Sequence, residues 1–150
     1  MNATVRAATL ADISPIIELE KASPSAAHWS RQQYEEIFSS SEPRRLALVI
    51  EQNNRIEGFF IARAVGAEWE IENIVVAAAA RRHGLGSLLL GRFLEIAREP
   101  ATDAVFLEVR ESSRAARALY HKWNFIESGR RKLYYRDPDE DAIICRLCFR

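Results

Sequence analysis

Apolar positions along this chain recur with two periods, and the order in which the periods follow one another predicts a mixed α/β fold. Residues 5–8 read as a short strand. Thr9, followed by Asp12, then forms a capping signal ahead of a helix whose apolar stripe is Ile13, Ile16, Ile17 and Leu19. Pro15 falls in the first turn, where its missing N–H costs little, and Ser23-Pro24-Ser25 breaks the helix. Ser30 and Gln33 make a second capping box, opening a helix to about residue 38, with Trp29 placed as a hydrophobic staple. A period of two then returns. Strands at 46–52 and 56–65 flank the turn Asn53-Asn54, and Gly66-Ala67 leads into a strand over 68–76. In that strand Trp69, Ile71, Asn73 and Val75 alternate with Glu70, Glu72, Ile74 and Val76. After a link of alanines, 77–80, and a glycine-bearing loop, residues 88–98 read as a helix. Its stripe is Leu85, Leu89, Phe93 and Ile96-Ala97, widened by Leu88, Leu90 and Leu94, which predicts broad burial against a sheet. A strand at 104–110 and a helix at 113–123, capped by Ser112 or Ser113, come next. Asn124 stands where a left-handed residue is expected after a helix. Segments 125–128 and 132–136 begin a final strand pair that 142–149 completes.

Length and composition narrow the class without choosing a function. A chain of 150 residues buries about two-thirds of its unfolded surface and is expected to form one domain, 1–150. Its formal net charge of zero gives no general attraction to nucleic acid or to an anionic membrane. No apolar run approaches the ~20 residues of a membrane span, and the first residues carry no signal-peptide core, so a cytoplasmic location is expected. Cys145 and Cys148 form a C-x-x-C pattern inside a predicted strand, where residues three apart point to opposite faces. That spacing excludes a disulfide, and no second Cys/His pair completes a zinc site. Two reduced thiols are expected, one inward and one outward, with no metal.

Candidate chemistry concentrates at the loop Arg81-Arg82-His83-Gly84-Leu85-Gly86-Ser87. A strand, a glycine-bearing loop and a helix aim unpaired N–H groups and a positive helix end at an anion, and Arg81 and Arg82 add charge. The loop lacks the Gly-Lys-Ser/Thr ending of a P-loop, and Leu89 stands where a dinucleotide fingerprint needs glycine or alanine. By itself it also reads as a helix start after a polar turn. Glu108 lies within the apolar run 105–109, where a carboxylate needs partners or a water-filled site; an exposed strand face or an arginine partner answers the need as well as function does. Tyr120 shares a helical face with Ser113, Ala116 and Trp123, which fits a core tyrosine with its hydroxyl at the rim.

The arrangement Arg-x-x-Gly-x-Gly after a strand, Leu107-Glu108-Val109-Arg110, and Ala118-Leu119-Tyr120 closing toward Trp123-Asn124-Phe125 resembles the GNAT family of acetyl-CoA-dependent N-acetyltransferases. Within it, Trp29-Ser30, Asn73-Ile74-Val75-Val76 and Tyr134-Tyr135 followed by 140–144 are most similar to the RimI group of ribosomal-protein alanine N-acetyltransferases. The resemblance implies a twisted, mostly antiparallel mixed sheet flanked by helices. It implies acetyl-CoA at residues 81–87, pantetheine along the backbone of Ile74, Val75 and Val76, and Ser113 where the group commonly carries a coenzyme-contacting asparagine. Glu108 takes the place of the base and Tyr120 that of the acid at the departing sulfur. Trp29, Tyr134 and Tyr135 become walls for a protein N-terminus, that of a small-subunit ribosomal protein, although Trp29 serves equally as a helix anchor. The acidic residues Asp137, Asp139, Glu140 and Asp141 read either as a solvated turn or as an attractor of a basic acceptor. Glu70 and Glu72 divide in the same way. A lysine or small-amine acceptor, and an acyl-CoA-sensing module without turnover, remain the competing functions. The presence of both Glu108 and Tyr120 speaks against the module.

Overall fold

The computed structural model describes residues 2–23, 28–80, 84–98 and 101–149. Seven strands form one sheet: β1 (Ala3–Ala7), β2 (Arg45–Gln52), β3 (Arg55–Val65), β4 (Glu68–Val76), β5 (Ala104–Arg110), β6 (Ile126–Tyr135) and β7 (Glu140–Cys148), in the spatial order β1-β2-β3-β4-β5-β7-β6. Every neighbouring pair is antiparallel except β4 and β5. That one parallel pair needs a crossover, which α3 (Leu85–Ala97) supplies. The helices α1 (Ile13–Lys21) and α2 (Arg31–Ser39) lie on one face, where Ile13, Ile16 and Tyr34 pack on Val49, Phe59, Ile61 and Val75. On the other face α3 and α4 (Arg114–Lys122) bury Leu89, Leu90, Phe93 and Tyr120 against Ile50, Phe60, Trp69 and Leu107.

Local chemistry sets most boundaries. The Asp12 carboxylate accepts from the Thr9 N–H at 2.8 Å, and a single 3-10 turn, Leu10–Asp12, precedes α1. At α2 the capping box is complete: Ser30 Oγ accepts from the Gln33 N–H and Gln33 Oε1 from the Ser30 N–H. Trp29 and Tyr34 close the staple with ring centroids 5.5 Å apart. Asn53 and Asn54 both take positive φ, as a two-residue hairpin turn requires, and Asn124 is left-handed at φ 70°. Cys145 is buried and Cys148 exposed, both free, as strand alternation predicts; burial pushes the Cys145 thiol up to about 11.

Three expectations are corrected. The helix predicted from residue 88 begins at Leu85, with Gly84 as its left-handed N-cap at φ 75°, and Leu88 is exposed rather than part of the stripe. The alternation in β4 does not keep one face. Ile61 pairs with Asn73 while its neighbour Ala62 pairs with Ile71, so Glu72 is the extra residue of a bulge. The bulge sends Trp69 and Ile71 to the α3 face but Val75 to the α1 face, and Ile74 and Val76 to the α3 face. The segments at 125–128 and 132–136 are one exposed edge strand, β6, with register shifts after Glu127 and after Arg131. The acidic run is largely committed within the fold. Glu140 accepts from Arg110 and from the Ser112 N–H, and Asp141 from Arg130 and the Leu133 N–H, leaving Asp137 and Asp139 exposed.

Candidate active site

The parallel ladder between β4 and β5 is short, running from Glu68 opposite Ala104 to Ile71 opposite Leu107. Beyond that point the Glu72 bulge turns β4 away, β5 continues on β7, and a cleft of about 800 Å³ opens between the two strands. The residues just past the fork on both strands, Glu72 to Ile74 and Glu108 to Arg110, line this space, which is why one gap in the sheet gathers so many of the predicted groups. Ile74, Glu108, Ser113, Tyr120, Tyr134, Tyr135 and Trp29 all line it.

Glu108 is the first β5 residue beyond the fork. Its side chain is one-fifth exposed, and Arg131 Nη1 donates to Oε1 at 2.9 Å and to Oε2 at 3.3 Å. The alternatives left open for Glu108 thus hold together: it has an arginine partner and it faces the cleft. Tyr120 is buried, with its ring 5.6 Å from Phe125. Burial, followed by the nearby Cys145 and Tyr135, drives its hydroxyl far above the ordinary phenol range. Burial therefore favours its protonated form. Tyr135 is pushed up to about 12, first by burial and then by the negative charge of Glu108. Its ring lies under the Arg110 guanidinium at 4.5 Å and edge-on to Tyr134 at 5.0 Å.

At the opposite wall the acids on β4 are already paired. Arg63 donates to Glu70 at 2.7 Å, and Arg45 donates to Glu72 at 2.9 Å through Nε and 3.3 Å through Nη2. Neither stands as a bare charge for a cationic acceptor. Trp29 staples α2 and also lines the cleft. Its backbone N–H donates to Glu20 Oε1 at 2.7 Å, the same oxygen that accepts from the Tyr34 hydroxyl at 2.5 Å. The Tyr34 hydroxyl in turn sits 3.5 Å from Asn73 Nδ2. This buried chain ties the Trp29 loop to α1 and to the bulged end of β4. The only trace of it in the sequence is that Asn73 is polar at a buried alternation point.

The residues of the glycine loop divide. Arg81, Arg82 and His83 lie outside the described residues. Among the described residues an added Cβ at Gly84 would meet nothing within 4 Å, and the left-handed backbone is what glycine serves there. Leu85 is buried in the core. Gly86 packs near Leu119 and Val76. Ser87 accepts the Trp123 indole N–H at 3.0 Å, joining α3 to α4. Val75 points its side chain to the α1 face and Val76 to the α3 face, which leaves only their backbone for a ligand.

Residues 13–125 match the family described as Acetyltransferase (GNAT) family. The chain belongs to that family. Its sequence is 34% identical over 132 residues to the [ribosomal protein bS18]-alanine N-acetyltransferase of Escherichia coli (strain K12), covering 83% of this chain and 89% of that protein. It is 33% identical over 136 residues to the Haemophilus influenzae (strain ATCC 51907 / DSM 11121 / KW20 / Rd) protein of the same name, covering 89% and 90%. The fold matches the crystal structure of the ribosomal-protein-S18-alanine N-acetyltransferase from Escherichia coli with a TM-score of 0.84 at 30% identity, covering 98% of this chain and 94% of that one. The mixed, mostly antiparallel sheet predicted from the GNAT resemblance is the sheet observed. Arg131, Glu20, Tyr34 and Asn73 are the residues of this site that sequence reasoning missed.

Proposed function

We propose that this chain, acting as a single domain, transfers the acetyl group of acetyl-CoA to the α-amine of a protein N-terminus, the acceptor being the N-terminal alanine of a small-subunit ribosomal protein. The observation that carries the reading is that Glu108 and Tyr120, one carboxylate and one phenol whose pKa burial raises, line the cleft at the β4–β5 fork. The names of the relatives at about one-third identity support the acceptor.

The N–H groups at the start of α3, after left-handed Gly84, suit the diphosphate of acetyl-CoA, and the loop residues assigned to it from the sequence are Arg81, Arg82, His83, Gly84, Leu85, Gly86 and Ser87. Past the fork, β4 has β3 on one side only and Ile74 lines the cleft, so the backbone run Ile74, Val75 and Val76 is the one assigned to pantetheine. Ser113, at the N-cap of α4, makes no capping bond and keeps its hydroxyl for the same ligand. When bound, acetyl-CoA supplies an activated acetyl carbon. Glu108 takes one proton from the attacking amine through water as the new N–C bond forms. Tyr120 gives its proton to the sulfur as the C–S bond breaks, so the products are an amide and a free thiol. An α-amine near pKa 7.7–8.0 is neutral in about one molecule in seven at pH 7, so a single carboxylate suffices as base. Trp29, Tyr134 and Tyr135 flank the entering peptide.

A coenzyme A release assay separates the alternatives. A basic peptide beginning with alanine is the expected substrate, and the same peptide with a blocked N-terminus is expected to be inert. Acetylation of the blocked peptide at lysine, as fast as or faster than the free one, would transfer the assignment to a lysine acetyltransferase. Fractionation is expected to find the protein in the cytoplasm.

A further inference from the structure

On the far side of Glu108, the edge strand β6 is built to hold one arginine in place. Arg131 pairs with Ala142 and Tyr135 with Glu140, so Lys132, Leu133 and Tyr134 together face Asp141 alone. Leu133 takes φ 50°, a left-handed conformation unfavourable for a γ-branched residue, and Asp141 holds it there by accepting its N–H at 2.8 Å. The same carboxylate accepts from Arg130 at 2.8 Å. The excursion carries Tyr134 and Arg131 over the cleft, where the Arg131 guanidinium lies 4.1 Å from the Tyr134 ring centroid and reaches Glu108. Contact with Glu108 is made through one nitrogen, Nη1, across both oxygens, not through the two-nitrogen fork that makes such pairs firm. The Arg131 side chain is half exposed.

We propose that Arg131 is a specificity-determining residue: its positive charge, fixed beside Glu108, admits an amine that arrives neutral and rejects one that arrives as an ammonium. A cation approaching Glu108 must either displace Arg131 or sit beside it, and like charges in a cleft walled by protein repel strongly. An α-amine is neutral in about one molecule in seven at pH 7, whereas a lysine side chain is neutral in about one in a few thousand. Arg131 thus turns the acid–base difference between the two acceptors into a difference in entry. Beside Arg131 the Glu108 side chain keeps one-fifth of its surface exposed, which leaves it reachable by water, as a base acting through water requires. The inference rests on Glu108 acting as proposed above.

The experiment compares kcat/KM for the free alanine-initiated peptide with that for its N-blocked, lysine-bearing counterpart in three proteins: the natural chain, Arg131→Gln and Arg131→Lys. Arg131→Gln is expected to lower KM for the lysine peptide and to reduce the N-terminal preference by about tenfold or more, while Arg131→Lys, which keeps the charge, retains most of that preference. An arginine serving only to pin β6 would lower kcat for both acceptors alike and leave their ratio unchanged; that result, in a variant whose melting temperature shows it folded, overturns the proposal. The two readings fail separately. A natural enzyme that prefers lysine ends the N-terminal assignment, whereas an unmoved ratio in Arg131→Gln ends this one.

Discussion

At the scale of single residues, the site works by giving two oxygen acids opposite surroundings. Tyr120 is buried at the cleft wall, which holds its hydroxyl protonated until a departing thiolate forms beside it, while Glu108 stays in contact with a guanidinium and with the cleft. Replacing the phenol by Tyr120→Phe is expected to lower turnover by about a hundredfold, with acetyl-CoA affinity in a calorimetric titration nearly unchanged. An enzyme at full speed would remove Tyr120 from proton transfer to sulfur. Glu108→Gln is expected to lose most activity at low pH and to recover part of it as pH rises and the amine sheds its own proton. A pH–rate profile measured beside the natural enzyme reads this directly. The carboxylates elsewhere on this wall have structural work: Asp141 is held below the usual carboxylate range chiefly by the Leu133 N–H and then by Arg130.

At the scale of elements, two glycines on α3 do different things. Gly84 caps the helix in a left-handed conformation, and among the described residues a Cβ there meets nothing within 4 Å, so the opposition to a side chain is backbone strain. Gly84→Ala should cost about 1 kcal/mol of stability in chemical denaturation, and Gly84→Val should weaken acetyl-CoA binding by about tenfold, because both alter the N–H groups at the helix end. Equal binding by a folded Gly84→Val protein would separate the diphosphate from this loop. Gly91 is a packing glycine: an added Cβ would lie 2.9 Å from the Trp123 ring, the same ring whose N–H reaches Ser87 one turn earlier on α3. Gly91→Ala is expected to cost about 1–3 kcal/mol. Combined with Trp123→Leu it should cost less than the sum of the two single changes, since the clash and its partner vanish together.

At the scale of the whole molecule, three tyrosines on both faces of the sheet set an alkaline limit. Tyr34 and Tyr120 are held far above the ordinary phenol value, chiefly by burial, and Tyr135 is pushed up to about 12 for the same main reason. In the unfolded chain they ionise near about pH 10, while in the fold they stay protonated. Above that pH the unfolded state binds fewer protons, so stability is fully present below about pH 10 and falls as pH rises. The melting temperature should decline above that point, and less steeply in Tyr34→Phe, which removes one of the phenols. A profile flat into strong alkali would contradict the burial assigned to them. These tyrosines also mark what could be read in advance and what could not. The two capping signals, the Asn53-Asn54 turn, left-handed Asn124 and the inward–outward split of Cys145 and Cys148 were legible because each depends on backbone and side-chain chemistry within a few residues. The alternation of β4 was legible as burial but misleading as to face, since a bulge is defined by the partner strand: only the pairing of Ile61 and Ala62 reveals that Glu72 is the extra residue. The fork between β4 and β5, and the arrival of Arg131 on Glu108 from 23 residues away, were decided by the tertiary structure alone. The apolar pattern and the turns set register within a hairpin, but a bulge, the parting of two strands and a charge pair between distant segments depend on the partner strand and on the twist of the whole sheet.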